Sequence, residues 1–253
     1  MSALLLMQWL YLPANACYNG AMQNHSLIKA LIFDFDGLIL ETEGADHKSW
    51  AELYESYGAQ LPFSKWATLI GTEEGTFDPA RELEEQIGEK LDWNQLKPMR
   101  YQRWLELIES QSVLPGVVDY LEDGKRLGLK IGVASCSPLS WLNQHLARLG
   151  LLSYFDTIRG KDHVRVTKPN PAVYLGALQA LQVRGDQAIA FEDSPNGVQA
   201  AKEAGLFCIT VPTQLTSNLP LDLADLRLNS LAEIRLETLL QKVEALLKQP
   251  ARA

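Results

Sequence analysis

Cysteine is scarce in this chain of 253 residues, and there is no excess of positive charge. The three cysteines, Cys17, Cys136 and Cys208, are widely spaced and odd in number. This pattern excludes a cysteine metal cluster, suggests no disulfide framework and favours a reducing, cytoplasmic location. The formal net charge of -8 provides no global attraction to nucleic acid or to an anionic membrane, so we expect neither as a partner. An anionic substrate must then be bound by local cations or a metal ion.

The apolar stretch at residues 4–12 is too short to cross a bilayer. A secretory signal requires a Lys or Arg before its apolar segment, and none precedes this one. Ala14-Asn15-Ala16 resembles a cleavage site, however, which keeps a signal peptide open as the alternative. We expect residues 1–26 to be an N-terminal extension that is disordered or results from a start codon assigned too early, with translation beginning at Met22.

Apolar segments that end in polar residues alternate with helix-like segments over most of the chain. The strand-like segments are residues 27–33, 130–134, 155–158, 188–191 and 207–211. The helix-like segments are residues 117–127, 140–149, 172–181, 195–204 and 231–247. Strands that alternate with helices indicate a parallel sheet covered on both faces. The sequence therefore predicts an α/β fold with a Rossmann-like three-layer core.

A long helix-like stretch at residues 44–112 interrupts this alternation. It contains four of the six tryptophans, Trp50, Trp66, Trp93 and Trp104, which we expect to fill a small helical core. The predicted organisation is an α/β core built from residues 27–43 and 113–253, with an all-helical insert at residues 44–112.

Acids and a hydroxyl follow three of the predicted strands, namely Asp34 with Asp36, Ser135, and Glu192 with Asp193. Ligands of open parallel sheets bind outside the carboxyl ends of the strands, so folding should gather these side chains. Carboxylates held close together repel one another, and a cation relieves that repulsion. An oxygen-only ligand set suits Mg²⁺, which makes Mg²⁺ the predicted cofactor.

Two acids separated by one residue can divide the work of phosphoryl transfer. One carboxylate can attack phosphorus, and the other can protonate the leaving oxygen and later deprotonate water. Lys168, in a loop before the next predicted helix, could supply a positive charge. Taken singly, these acids and serines read as helix caps or turn residues, and Lys168 as a solvated surface charge. Their joint placement at strand ends is much harder to explain by capping.

Four short motifs, in this order, resemble those of the haloacid dehalogenase-like superfamily. They are residues 32–39 (Ile-Phe-Asp-Phe-Asp-Gly-Leu-Ile), Ala134-Ser135, Lys168-Pro169, and residues 191–194 (Phe-Glu-Asp-Ser). The run at residues 38–43 resembles the phosphatase and β-phosphoglucomutase-like branch. The helical insert after the first motif resembles the mobile helical cap of that superfamily.

The resemblance assigns a role to each of these residues. It implies that Asp34 is the nucleophile and Asp36 the general acid/base, and that Ser135 and Lys168 bind the phosphoryl group. The residues that it implies around Mg²⁺ are Asp34, Asp36 through its carbonyl, Glu192 and Asp193.

Two other branches of the superfamily fit these residues less well. Haloacid dehalogenases resemble this fold but lack the second aspartate and need no magnesium, whereas Asp36 is present here. The phosphonatase branch uses a cap lysine as a Schiff base, and Lys48 and Lys65 lie in the corresponding region. Asp46 and Glu52 in the same region favour a solvated charged face instead.

The choice between a phosphatase and a mutase depends on groups that would bind a second phosphate. Relatives of β-phosphoglucomutase use a cap arginine and a Lys-Asn pair after the second motif. Here residues 70–75 carry two glutamates, and Pro138 and Leu139 follow the second motif. Asp46 also stands where the branch has a histidine. We therefore predict hydrolysis of a small phosphorylated metabolite, with a phosphosugar mutase as the alternative.

A non-catalytic binding module with a vestigial site is the third reading of the sequence. Every candidate position carries the residue that the chemistry needs, which favours an enzyme. We expect the insert to close over the sheet, with the turn at residues 71–73 lining the entrance. The sequence carries no signal for a particular substrate or oligomeric state.

Overall fold

The computed structural model describes residues 27–70 and 77–249. The predicted extension at residues 1–26 and the acidic turn after Ile70 lie outside these ranges. Six parallel strands form one sheet in the order β3-β2-β1-β4-β5-β6 within them. The strands are β1 (Ala30–Phe33), β2 (Lys130–Ala134), β3 (Thr157–Arg159), β4 (Ala188–Glu192), β5 (Phe207–Thr210) and β6 (Leu226–Arg227). The predicted α/β class is confirmed.

Helices connect the strands and cover the sheet. Those in the described part of the chain are α1 (Thr42–Ser56), α2 (Phe63–Trp66), α3 (Pro79–Ile87), α4 (Trp93–Glu109), α5 (Val117–Arg126), α6 (Leu139–Arg148), α7 (Ala172–Leu181), α8 (Pro195–Glu203) and α9 (Leu236–Leu247). Among these described helices, none has the length and apolar character needed to cross a membrane.

The two faces of the sheet differ in the size of the side chains that they bury. Leu31 and Phe33 of β1 pack with the large residues of one face, beneath α5, α6 and α9. Ala30 and Ile32, which alternate with them, point to a face rich in alanine beneath α7 and α8. Burying each large side chain contributes about 1.5–3 kcal/mol, so the face beneath α5, α6 and α9 contributes more per residue than the alanine-rich face.

The predicted closing helix at residues 231–247 is shorter than expected. Leu231–Glu233 forms a single 3-10 turn, and the α-helix begins at Leu236. Ile234 between them is extended, and its carbonyl accepts a 2.9 Å hydrogen bond from the Tyr120 hydroxyl. This tertiary hydrogen bond outweighs the continuous helical pattern of the sequence.

Between Ile39 and Leu114 the described part of the chain forms helices α1 to α4. Trp50, Trp66 and Trp93 build a separate small core. The expectation was wrong for Trp104, which packs against the main core. The two connections of the insert meet, because the Leu114 N–H donates to the Ile39 carbonyl at 3.0 Å.

Candidate active site

Three of the predicted site residues leave the sheet at adjacent strand ends. Asp34 follows β1, Ser135 follows β2 and Glu192 ends β4. Because β1 pairs with both β2 and β4, these buried side chains meet at one edge of the sheet. Asp193 lies beside them and is also buried. The topology thus brings together residues that are far apart in sequence.

Lys168 enters this cluster from the loop before α7. Its ammonium donates to Asp34 Oδ1 and to Glu192 Oε1, both at 2.6 Å. The Tyr174 hydroxyl donates to the same Glu192 oxygen at 2.6 Å, and the Tyr174 ring centroid lies 5.1 Å from the ammonium. With 3% of its surface exposed, Lys168 is not the solvated surface charge of the alternative reading.

Negative charge exceeds positive charge in this cluster. Burial raises the pKa of Asp34 to about 8, even though the Lys168 ammonium opposes the rise. Burial, together with the carboxylates of Asp34 and Glu192, raises the pKa of Asp193 well above its ordinary value. Burial opposes the charge of Lys168, yet the carboxylates of Asp34 and Glu192 raise its pKa. The charged forms of Asp34 and Asp193 are therefore disfavoured unless a second cation joins the Lys168 ammonium.

This donor set fits a divalent cation. One carboxylate oxygen from each of Asp34, Glu192 and Asp193 lies within 4.8 Å of the others. Asp193 Oδ2 is buried and has no hydrogen-bond partner among the described residues, which is costly unless a ligand is bound there. A Cβ atom at Gly37 would lie 2.3 Å from this oxygen, so the glycine keeps the space beside it open. Hard oxygen ligands of this kind suit Mg²⁺.

The side chain of Asp36 is not part of the group formed by the carboxylates of Asp34, Glu192 and Asp193. Asp36 Oδ1 accepts from the Thr42 hydroxyl at 2.7 Å and from the Trp141 indole at 3.3 Å. Asp36 Oδ2 accepts from Ser135 at 3.2 Å and from Ser137 at 2.6 Å. Three of these donors lie in the loop after β2 and at the start of α6 and draw the carboxylate towards them, whereas Thr42 holds it from the start of α1.

A cavity of about 290 Å³ opens beside Asp36, between the insert and the core. The described residues that line it are Asp36, Thr42, Glu43, Asp46, Tyr101, Trp104, Ser137, Pro138 and Trp141. Aromatic rings and carboxylates dominate this lining, and it includes no Lys or Arg. A cavity of about 830 Å³ lies at the opposite edge of the sheet, among residues such as Lys29 and Leu129, far from the carboxylate cluster.

Sequence reasoning did not single out Tyr174, Trp141 or Thr42. Thr42 lies within the run that resembles the phosphatase branch, and that was the signal available for it. Tyr174 and Trp141 look like ordinary residues of amphipathic helices. Their roles depend on where α7 and α6 lie beside the strand ends.

The family model of the haloacid dehalogenase-like hydrolases matches residues 31–211. The chain belongs to this family. The match begins in β1 and ends just after β5, so it includes the insert and every candidate site residue. The predicted resemblance is confirmed, and the chain is an enzyme of a hydrolase family.

Relatives within this hydrolase family include proteins named as phosphatases. The "Putative phosphatase YhcW" of Bacillus subtilis is 46% identical over 219 residues, which cover 87% of this chain and 99% of the relative. Fructose-1-phosphate phosphatase YqaB of Escherichia coli is 34% identical, covering 72% of this chain and 95% of the relative. The crystal structure of β-phosphoglucomutase from Clostridium difficile has a TM-score of 0.68 at 24% identity, covering 88% and 100%. At that identity the likeness is one of fold.

Proposed function

We propose that this enzyme is a Mg²⁺-dependent phosphatase that hydrolyses a small phosphorylated metabolite through an aspartyl-phosphate intermediate. The observation that carries the proposal is the buried Asp34 carboxylate. It is hydrogen-bonded to Lys168 and adjoins two further carboxylates, one of which has an unpartnered oxygen. A nucleophile, a cation for the phosphoryl oxygens and a metal-binding set thus lie within one cluster.

In the proposed reaction a carboxylate oxygen of Asp34 bonds to phosphorus while the bond from phosphorus to the leaving oxygen breaks. Asp36 gives its proton to that oxygen. Asp36 then accepts a proton from water as the water attacks phosphorus, and the bond from Asp34 to phosphorus breaks to release phosphate. Ser135 and Lys168 bind the phosphoryl oxygens. Mg²⁺, held by Asp34, the Asp36 carbonyl, Glu192 and Asp193, would neutralise the charge of the phosphoryl group.

The cavity beside Asp36 supports a neutral, hydroxylated leaving group such as a sugar or polyol. The rings of Tyr101, Trp104 and Trp141 can pack against the C–H faces of a sugar, and the carboxylates of the lining can accept hydrogen bonds from its hydroxyl groups. Arg100 lies near this cavity, but its guanidinium is paired with Asp46. A second phosphate would meet carboxylates here, which favours hydrolysis over a mutase. The name of the fructose-1-phosphate phosphatase relative agrees with this class of substrate.

We also propose that the insert at residues 44–112 acts as a cap over the strand ends. Helix α4 supplies Tyr101 and Trp104 to one wall of the cavity, and the core supplies Ser137 and Trp141 to another. Closure of such a cap would exclude bulk water from the reacting groups.

The direct test is phosphate release from a panel of sugar phosphates, polyol phosphates, nucleotides and phosphoglycolate, with Mg²⁺ and with excess EDTA. We expect release with Mg²⁺ alone, fastest with neutral hydroxylated leaving groups. β-Glucose 1-phosphate with a trace of the 1,6-bisphosphate tests the mutase, by following glucose 6-phosphate and free phosphate together. If glucose 6-phosphate formed much faster than phosphate was released, the mutase would replace the hydrolase as the proposed function. If none of the substrates gave a product, the non-catalytic binding module would be the remaining interpretation.

Magnesium should stabilise the folded protein through Asp193. At a Mg²⁺ concentration about 100 times its Kd, binding to the folded state adds about 2.7 kcal/mol to the free energy of unfolding. We expect that gain to be largely lost in Asp193→Asn. In EDTA the variant should be at least as stable as the wild type, because it removes a buried charge from an excess of carboxylates.

Thermal unfolding with and without Mg²⁺ measures both effects. Asp225→Asn is the matched control, because Asp225 is paired with Lys202 outside the cluster and should leave the Mg²⁺ response intact. An equal Mg²⁺ response in the wild type and Asp193→Asn would remove Asp193 from the metal site.

A further inference from the structure

Trp141 joins the insert to the candidate acid/base residue. It lies in the first turn of α6, and its indole N–H donates to Asp36 Oδ1 at 3.3 Å. Its ring stacks on Trp104 of α4, with centroids 4.9 Å apart and planes inclined by 12°. We propose that Trp141 is a positioning residue for Asp36, and that the Trp104–Trp141 stack makes the orientation of Asp36 depend on the placement of α4. This inference rests on the phosphatase function proposed above.

Trp141 differs in kind from the other three donors to Asp36. Thr42, Ser135 and Ser137 donate through hydroxyl groups, which rotate and can also accept. The indole N–H can only donate, and its direction is fixed by the ring. Besides stacking on Trp104, that ring contacts His145, with centroids 4.1 Å apart. Packing therefore sets the direction from which Asp36 Oδ1 is held.

Trp104 contacts both residues that hold Asp36 Oδ1. It stacks on Trp141, and its own indole donates to the Thr42 carbonyl at 3.4 Å. A displacement of α4 would therefore act on both hydrogen bonds to this oxygen together. A leaving group in the adjacent cavity would also contact Trp104 and Trp141, since both line it. The insert and the substrate thus both act on Trp141, one of the two donors to this oxygen.

Trp141→Phe tests the proposal, because it keeps an aromatic ring for the stack and removes the N–H. The measurement is kcat/KM for an alkyl phosphate and for p-nitrophenyl phosphate, whose leaving group departs without a proton. A misplaced general acid should slow the alkyl phosphate by about 10-fold or more. The p-nitrophenyl phosphate value should change by less than about 2-fold, because this leaving group needs little proton transfer.

Trp93→Phe is the matched control, because its indole also donates to a carboxylate, that of Glu84 at 2.9 Å, but within the insert. It should leave the ratio of the two kcat/KM values unchanged. Trp104→Leu, which removes the stack and leaves the Trp141 N–H in place, should shift the ratio in the same direction as Trp141→Phe. It also carries the test if thermal unfolding shows that Trp141→Phe does not fold.

The outcomes separate this inference from the proposed function. Equal losses on both substrates would mean that Trp141 is only structural, and unchanged values on both would mean that it has no role in orienting Asp36. Either result overturns the inference while the wild type still releases phosphate. Absence of phosphate release by the wild type would instead refute the phosphatase.

Discussion

Asp34→Asn is expected to lower kcat by about 10⁴-fold or more, because an amide cannot form the phosphoryl ester, and the loss of a nucleophile acts on this scale in covalent enzymes. The fold should survive. The amide is nearly isosteric with the carboxylate, and Lys168 keeps its 2.6 Å hydrogen bond to Glu192. Removing one of three crowded carboxylates should leave the melting temperature unchanged or raise it.

Initial rates of phosphate release measure the effect, on fresh protein checked by mass spectrometry for deamidation. Asp156→Asn is the control, because Asp156 pairs with Lys125 at the opposite edge of the sheet and should retain activity. Near-normal turnover by intact Asp34→Asn would show that another group attacks phosphorus.

Lys168→Met is expected to affect both turnover and stability. Breaking a buried ion pair by removing one partner typically costs about 3–5 kcal/mol, because the remaining charge stays buried. Here the Asp34 and Glu192 carboxylates would both lose the ammonium. The proposed phosphoryl-binding cation would be lost as well, so kcat should fall by about 10²-fold or more.

The stability deficit of Lys168→Met should depend on pH. A carboxyl group whose pKa is higher in the folded protein stabilises it at low pH, and this contribution is lost as pH rises through the folded value. The pKa of Asp34 already lies at about 8 against an ordinary 3.8, and loss of Lys168 should raise it further. In EDTA, the deficit should therefore grow as pH rises above the wild-type folded value, and be larger near pH 9 than near pH 6.

Urea unfolding at the two pH values measures this deficit. Lys65→Met is the matched control, because Lys65 is half-exposed in its pair with Glu82, and surface pairs contribute roughly 0–1 kcal/mol. A deficit for Lys168→Met as small as that of the control would show that the buried pair contributes little.

The sequence predicted the strand ends because their signal is local. Buried strands such as β1 and β4 are continuous apolar runs, and each stops at an acid. β6 was missed because two residues, Leu226–Arg227, are too few to produce a pattern. The late start of the predicted closing helix, at Leu236, was also missed, because it depends on the hydrogen bond from Tyr120, more than 100 residues away.

Side-chain direction was the least predictable part of the candidate site. The position of Asp36 in the chain was clear, but the donors that turn its carboxylate away come from the loop after β2 and from α6. Trp104 was expected in the core of the insert because tryptophan usually marks a local core. Only the packing of α4 beside α6 places it on Trp141.

The paired connections of the insert have an evolutionary consequence. Because the Leu114 N–H and the Ile39 carbonyl are hydrogen-bonded, the chain leaves and re-enters the core at one point. Helices could be lengthened, exchanged or reshaped beyond that point while the strand ends that carry Asp34 and Glu192 stay in place. Selection could then alter substrate choice and reaction chemistry as separate traits.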